Sequence, residues 1–204
     1  MTTTENGKAR RRGRPGYDLE TLLKAAAELF YERGYDGTSI QDLATRLGVA
    51  KSAIYHHVPS KEALLSLAVD RALDGLFAEV TKLEPVGGRA IDRLEHLVRG
   101  SITVLIDELP FVTLLLRVRG NTETERNALA RRREFDHVVT DLVAQAAAEG
   151  DLRADVHPAM ITRLLFGMVN SIIEWYRPQG GLTSADLAET VATVAFDGLR
   201  VRST

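Results

Sequence analysis

The sequence predicts an all-α protein, with an N-terminal three-helix helix-turn-helix domain followed by a helical bundle. Apolar residues recur at helical spacing along most of the 204 residues. The last 120 or so residues contain no strand-like alternation of useful length. Between residues 38 and 65, two short helical segments are separated by a gap that is too short for anything but a tight turn.

The charge distribution indicates which part of the chain can meet a polyanion. Residues 1–61 hold ten Lys or Arg against seven Asp or Glu, whereas residues 62–204 hold sixteen against twenty-one. Only the N-terminal part therefore suits a nucleic acid, which argues against a nonspecific DNA coat. The chain has no cysteine for disulfides or thiolate metal sites and no apolar run of membrane length. No apolar stretch follows the basic N-terminal residues, so we expect no secretory signal. We expect a cytoplasmic protein without a membrane partner.

Residues 1–16 are polar and are expected to form a disordered basic arm. Its Arg12-Gly13-Arg14-Pro15 core is typical of short arms that lie in narrow A·T-rich minor grooves. Arg12 and Arg14 are therefore candidates for DNA binding. The alternative is a solubilising or merely phosphate-binding tail.

The first helix is predicted from Asp18, a suitable N-cap, to Arg33, where Gly34 stops it. We interpret this helix as a brace for the two segments that follow. Its inward stripe consists of Leu22, Ala26, Leu29 and Phe30.

The next two helices form the helix-turn-helix. The first has one apolar face, a predicted capping box of Thr38 with Gln41, and a stop at Gly48. Val49 and Ile54 are spaced to reach back onto it, which leaves the start of the second helix facing outward. Such outward residues reach base edges in the major groove. The candidates are Lys51, Ser52, Ala53 and His56, with Tyr55 beside them. The alternative is an ordinary helical hairpin.

Residues 17–65 resemble the DNA-binding domain of the TetR family of bacterial transcription regulators. The matching segments, in order and without a gap, are Ala26 to Phe30, Arg33-Gly34-Tyr35, Thr38-Ser39-Ile40, Leu43-Ala44, Leu47-Gly48-Val49, Ile54-Tyr55-His56-His57 and Ser60-Lys61-Glu62 with Leu64. The resemblance implies a DNA-binding domain at 17–65 and an effector-binding and dimerisation domain at 66–204.

The same resemblance implies roles for single residues. Tyr55 and Lys61 match positions that contact backbone phosphate. Thr38 and Ser39 are further candidates for DNA binding. Two positions depart from the family pattern. Ala50 replaces a serine or threonine that could cap the recognition helix, and Val58 replaces an aromatic residue, so we expect thinner packing there.

The two adjacent histidines do not predict a metal site. Neighbouring residues on a helix point about 100° apart, and no third ligand is spaced near His56 and His57. We expect His57 to be a packing residue with a hydrogen bond.

Six further helices are predicted, approximately over residues 61–82, 89–107, 111–118, 121–149, 158–176 and 184–201, with Glu84 to Gly88 breaking the chain after the first. Arg131-Arg132-Arg133 is interpreted as a solvated face, with a second anionic site as the alternative. No phosphate loop, metalloprotease motif or nucleophile elbow is present, so we expect no cofactor and no enzyme.

The last two helices carry a wide apolar surface that needs covering. TetR-like regulators pair through two such helices from each subunit, and the alternative is packing within one subunit. The candidate dimer residues are Leu164, Met168, Ile172, Val191, Val194 and Gly198.

The resemblance also implies a small-molecule cavity among the C-terminal helices. Polar residues beside apolar runs are candidates to orient an effector, with a structural hydrogen bond or an interface contact as the alternative for each. They are Arg117 and Arg119, and Asn170 and Glu174 beside Trp175. The arginine pair suits an anionic effector such as an acyl-coenzyme A thioester.

The predicted function is a homodimeric repressor that binds double-stranded DNA at a palindromic operator and is released by an effector. Two alternatives stay open. One is an effector-independent, DNA-binding architectural protein, and the other is a helical small-molecule-binding protein without a DNA role.

Overall fold

The computed structural model describes residues 18–83 and 88–200, and these ranges contain nine α-helices and no strand. The all-α prediction is confirmed. The basic arm with Arg12 and Arg14, most of the loop at 84–88 and the chain beyond residue 200 lie outside the described residues. The helices are α1 Leu19–Arg33, α2 Ile40–Leu47, α3 Lys51–Tyr55, α4 Lys61–Thr81, α5 Ala90–Asp107, α6 Leu109–Arg117, α7 Glu123–Ala148, α8 Pro158–Trp175 and α9 Ser184–Leu199.

Local capping explains why most helix ends match the predictions. The Asp18 carboxylate accepts the backbone N–H of Thr21 at 2.8 Å, which caps α1. Gly48 adopts a left-handed φ of 65° and ends α2. Ser60 and Thr183 cap α4 and α9 in the same manner as Asp18. Each of these signals lies within four residues of the helix end that it sets.

The predicted capping box of Thr38 with Gln41 is wrong. Thr38 is only 3% exposed, and its hydroxyl donates to the carbonyl of Gly34 at 2.9 Å. The capping box is formed one residue later, because Ser39 Oγ accepts the Asp42 N–H and the Asp42 carboxylate accepts the Ser39 N–H. The helix therefore begins at Ile40.

One long helix joins the two parts of the molecule. We call residues 19–55, which hold α1 to α3, the head, and residues 90–199, which hold α5 to α9, the body. α4 contacts α1 in the head and α5, α6 and α7 in the body. α6 also packs directly on α1, so the head rests on two helices. Along α4, Leu65, Ala68 and Leu73 are fully buried.

The described helices were also compared with what a lipid bilayer requires. None of those within residues 18–83 and 88–200 combines the length and apolar character of a membrane span.

Candidate nucleic-acid interface and core cavity

The outward side of α3 is open to solvent. Lys51, Ser52, Tyr55 and His56 are exposed, with Tyr55 at 47%, and Ala53 is half-buried. Ile54 is 1% exposed and packs inward, as its spacing predicted. The helix thus presents the candidate residues on one accessible side while a single aliphatic side chain holds it to the protein.

The ends of α3 agree in part with the expectations. Ala50 is the N-cap and makes no side-chain hydrogen bond, as expected for a residue without a hydroxyl. Val58, three residues after the head, is 2% exposed and belongs to the hydrophobic core. The expectation for His57 is wrong, because its side chain is exposed in the turn after α3 and is not a packing residue.

A groove of about 390 Å³ runs beside α3, between the start of α2 and the start of α4. Lys51, Tyr55 and Lys61 contribute to its wall, together with Asp36 and Asp42. Hydrogen bonds from Ser39 hold the pKa of the Asp42 carboxyl below its usual value. Thr38 and Ser39 line the groove too, but the Thr38 hydroxyl is buried and the Ser39 hydroxyl is engaged in the cap.

Lys61, the first residue of α4, binds the head. Its ammonium donates to the carbonyls of Tyr35 and Thr38 at 2.9 and 3.0 Å, and it lies 4.1 Å from the centre of the Tyr35 ring. Burial raises the pKa of the Tyr35 phenol. The lysine that the resemblance places on phosphate therefore has at least two of its three N–H groups occupied by protein.

A second candidate site is a small cavity of about 30 Å³ between α4 and the body. Its walls come from five helices, and most of the lining is apolar. The lining residues are Leu76 of α4; Ser101 and Leu105 of α5; Val112, Leu115 and Leu116 of α6; Arg132, Phe135 and Asp136 of α7; and Phe166, Val169 and Asn170 of α8.

The polar lining of the cavity was only partly predicted. Asn170 was a candidate, whereas Arg132 and Asp136 were missed, and burial raises the pKa of the Asp136 carboxyl. The available signal was spacing, because Arg132 and Asp136 lie four residues apart and flank Phe135 on the inward stripe of α7.

The interpretation of the arginine triplet as one solvated face is therefore wrong. Arg132 lines the cavity, and Arg131 binds Asp70 and Asp74 of α4 at 2.7 Å each. Only Arg133 is exposed. Successive residues of a helix point in different directions, so three adjacent arginines cannot share one environment.

The other effector candidates lie away from this cavity. Arg117 and Arg119 line an open cleft of about 590 Å³ between the end of α1 and the turn after α6. Arg117 pairs with Glu174 at 3.0 Å on the surface, and Trp175 is 49% exposed. Arg117, Arg119, Glu174 and Trp175 are all exposed, so they do not line the cavity to which Asn170 contributes.

The faces of α8 and α9 differ from the predicted stripe at one position. Leu164, Met168 and Val194 are 62%, 38% and 65% exposed, and Gly198 is exposed beside them. Val191 is half-buried. Ile172 is 1% exposed, so its assignment to a dimer interface is wrong. Ile172 follows Leu164 by eight residues, so its side chain is rotated by about 80° around the helix axis from that of Leu164. This rotation points Ile172 into the subunit.

Within residues 18–83 and 88–200, no three His, Asp or Glu side chains converge as a metal site would require.

Two family models match the chain. The first, described as bacterial regulatory proteins of the tetR family, matches residues 22–68. The second, described as a tetracyclin repressor-like C-terminal domain, matches residues 87–199. Together they cover most of the head, the first eight residues of α4 and the whole body.

Individual proteins are similar over nearly the whole length. A member of the TetR transcriptional regulator family from Streptomyces coelicolor is 55% identical, with 91% of this chain and 94% of that chain covered and a TM-score of 0.82. The HTH-type transcriptional repressor KstR2 of Rhodococcus jostii is 28% identical over 92% of this chain and 93% of the relative. AibR, in a crystal structure with isovaleryl coenzyme A and operator DNA, is 28% identical over 87% and 97%, with a TM-score of 0.71.

Proposed function

This chain belongs to the TetR family of bacterial transcription regulators, and we propose that it is a homodimeric repressor that a small molecule releases from a palindromic operator. Members of this family are DNA-binding regulators and not enzymes. We assign residues 17–65 to DNA binding and residues 66–204 to effector binding and dimerisation. KstR2, a relative that is named as a transcriptional repressor, supports repression of transcription over activation.

The observation that carries the proposal is the exposed side of α3 beside the groove. Lys51 and Tyr55 are open to solvent on a helix of five residues, and so is His56, which caps its C-terminal end. In this arrangement Tyr55 and Lys61 serve phosphates, and Lys51, Ser52, Ala53 and His56 meet base edges. Phosphate contacts position the head, whereas base contacts select the sequence.

A dimer is proposed because one head is too small for tight binding and because α8 and α9 leave apolar surface exposed. A single DNA-binding module buries about 600–1,000 Å² of protein surface, which is less than the surface that most specific protein–DNA complexes bury. Leu164, Met168 and Val194 form an exposed apolar face that two subunits can bury against each other. Two heads on a twofold axis require a palindromic operator.

The core cavity is proposed as the effector site because it borders the helices that hold the head. A volume near 30 Å³ holds about one water molecule, whereas ligand sites are roughly ten times larger or more. An effector must therefore push its walls apart, and Leu76 of α4 with Leu115 of α6 are among those walls. Since α4 and α6 both contact α1, the expanded form holds the head differently.

The cavity chemistry favours an apolar effector with a polar group at one end. Leu105, Phe135 and Phe166 suit a short acyl chain, while Arg132 and Asn170 can bind a carbonyl or an anionic group. AibR, which binds isovaleryl coenzyme A, supports an acyl-coenzyme A thioester as the effector class.

The test begins with the full chain and random duplex DNA. Retained sequences should share a palindrome, and light scattering should give two subunits per operator. Isovaleryl coenzyme A and longer acyl-coenzyme A thioesters are then added to the complex, with free coenzyme A as the control. Release by a thioester but not by coenzyme A is expected. Failure to enrich any sequence would contradict the DNA-binding proposal, and an operator complex that no small molecule releases would support the architectural alternative.

A further inference from the structure

We propose that Asp136 sets the specificity of the core cavity, so that the cavity accepts a neutral effector whose polar end carries a carbonyl and a hydrogen-bond donor, and rejects a free carboxylic acid. The inference rests on the role of this cavity as the effector site, proposed above, and it narrows the class of molecule that the cavity takes. It is carried by the polar groups of the cavity wall and by what each of them contacts.

Asp136 and Arg132 lie on the same wall of the cavity without pairing. Both residues line it, and they are four residues apart on α7. Arginine and aspartate at this spacing can form an ion pair along a helix. Within residues 18–83 and 88–200, however, neither side chain makes a hydrogen bond or an ion pair with another residue. Both groups are therefore available to a molecule that enters the cavity.

The hydroxyl groups near Asp136 are used elsewhere. The buried Ser101 hydroxyl, which lines the cavity, donates to the Leu97 carbonyl of its own helix at 2.7 Å. The Thr140 hydroxyl, one turn after Asp136, lies 2.8 Å from the Asp136 backbone carbonyl and 3.1 Å from the Thr162 hydroxyl. A donor for the Asp136 carboxylate therefore has to come from solvent or from a ligand.

Asn170 of α8 completes the polar part of the wall. It is half-buried, and its side chain makes no hydrogen bond with any other residue in the described part of the chain. An amide side chain both donates and accepts, an arginine only donates and an ionised aspartate only accepts. The three side chains together fit a ligand group that offers an acceptor and a donor side by side.

The surroundings of Asp136 increase the value of a donor on the ligand. Burial raises the pKa of the Asp136 carboxyl, while the charges of Arg132, His137 and Arg163 act in the opposite direction. A carboxylate that has lost part of its water is stabilised by a hydrogen-bond donor that replaces the water. An amide N–H or a hydroxyl O–H supplies such a donor, whereas a ligand carboxylate supplies only acceptors.

The balance of charge on the wall excludes a free acid. Arg132 attracts a ligand carboxylate and Asp136 repels it, so the two together offer no net charge to compensate an anion that has left water. A neutral amide is compatible with both side chains, because its carbonyl accepts from Arg132 or Asn170 and its N–H donates to Asp136. Without the charge of Asp136 the wall would be positive and would accept the anion.

The experiment compares isovaleramide with isovalerate, two probes of similar size that differ in the donor and the charge. Each is titrated at neutral pH into the full chain with isotope-labelled methyl groups. The shifts of the Val112, Leu115 and Val169 methyl signals, which come from the cavity wall, give the dissociation constants. For wild type we expect the amide to bind at least roughly tenfold more tightly, because it gains a hydrogen bond to a charged group and avoids a like charge. In Asp136→Asn this preference should disappear or reverse.

Two further variants control the comparison. Asp141→Asn removes an exposed carboxylate from the same helix and should keep the wild-type preference for the amide. Asp136→Ser removes the charge with a different side chain and covers an Asp136→Asn protein that does not fold. A residue with a purely structural role would change the affinity for both probes alike, so the ratio of the two dissociation constants is the decisive readout.

The same preference for isovaleramide in wild type and in the Asp136 variants would overturn the inference, and so would a wild-type cavity that binds neither probe or prefers isovalerate. None of these results decides whether the protein is a repressor, because operator selection and release by thioesters test that separately. If the chain selects no DNA sequence while the probes behave as expected, the proposed repressor function fails and the role of Asp136 in the cavity stands.

Discussion

The guanidinium of Arg71 donates to both carboxylate oxygens of Glu108, at 2.7 and 2.9 Å. Arg71 lies on α4 and Glu108 joins α5 to α6, so the pair fixes α4 to the body. The remaining Nη1 of Arg71 binds Glu20 of α1, and the guanidinium lies 4.7 Å from the centre of the buried Phe111 ring. One side chain thus contacts the head, the connecting helix and the body.

We predict that Arg71→Met destabilises the protein by about 2 kcal/mol, because it leaves the partly buried Glu108 carboxylate without its hydrogen-bond donor, whereas the more exposed Glu20 keeps its pair with Lys24. Hydrogen bonding to Arg71 also lowers the pKa of Glu20, so that carboxylate stays ionised. Urea denaturation measures the change. The control is Arg153→Met, which removes an exposed pair with Asp155 and should change stability by less than about 0.5 kcal/mol. Equal losses in the two variants would contradict the prediction.

We predict that Tyr55→Phe weakens the operator and scrambled DNA by the same factor, about tenfold or less, because a hydroxyl bound to phosphate carries no sequence information. His56→Ala is the comparison, since a base-edge contact should instead relax preference at one position by about 1–3 kcal/mol. Competition binding against all single-base variants of the operator distinguishes the two. A change of base preference in Tyr55→Phe would show that this residue reads sequence.

The helix boundaries were predictable because their signals are local. Asp18, Gly48 and Ser60 act within their own helix turns, and each lies where the sequence placed it. The exception, Thr38, shows the limit of this approach. Thr38 and Ser39 could each cap α2, and the choice depends on the burial of Thr38 against α1, which local sequence does not reveal.

The site residues were less predictable because their roles depend on neighbours distant in the chain. Helical spacing alone placed Ile172 on the same apolar face as Leu164. Because that face is wide, spacing does not distinguish the side chains buried within the subunit, such as Ile172, from the exposed ones. Arg132 was grouped with its charged neighbours although it lies in the inward row of α7. Lys61 lies 26 residues from Tyr35, whose carbonyl accepts its hydrogen bond. This contact depends on the folded structure and was not predictable from local sequence.

We predict that Leu164→Glu separates the proposed dimer, because it places a charge on an apolar face that the partner must bury. The dissociation constant of the dimer should rise at least roughly tenfold, with little change in the unfolding free energy of the subunit. Sedimentation velocity over a range of protein concentrations measures the dimer. Operator binding should weaken in parallel.

Two controls test whether the effect is specific to the face. Leu67→Glu introduces the same charge at a 41% exposed leucine of α4 and should leave the dimer intact. Ile172→Ala, at a 1% exposed position, should lower subunit stability by about 2–5 kcal/mol because it opens a cavity. If Leu164→Glu remains dimeric, the interface lies elsewhere.

We predict that Asp136→Asn stabilises the protein, and increasingly so as the pH rises. Burial raises the folded-state pKa of Asp136 above its usual value of 3.8, so the folded protein holds this proton more tightly than the unfolded chain does. The stability associated with that proton is fully present below 3.8 and is lost as the pH rises through the folded-state pKa. Asparagine cannot ionise, so its advantage over aspartate should be small near pH 4 and larger near pH 7.

The matched control for this pH dependence is Asp155→Asn. Its partner Arg153 lowers the pKa of the exposed Asp155 carboxyl, so any stability that it contributes is lost only as the pH falls below the usual value of 3.8. Between about pH 4 and pH 7 the difference between Asp155→Asn and wild type should therefore stay nearly constant, in contrast to Asp136→Asn. Urea denaturation at both pH values measures the two differences. A stability difference for Asp136→Asn that is equal at the two pH values would mean that the carboxyl is well solvated and does not form a buried polar wall of the core cavity.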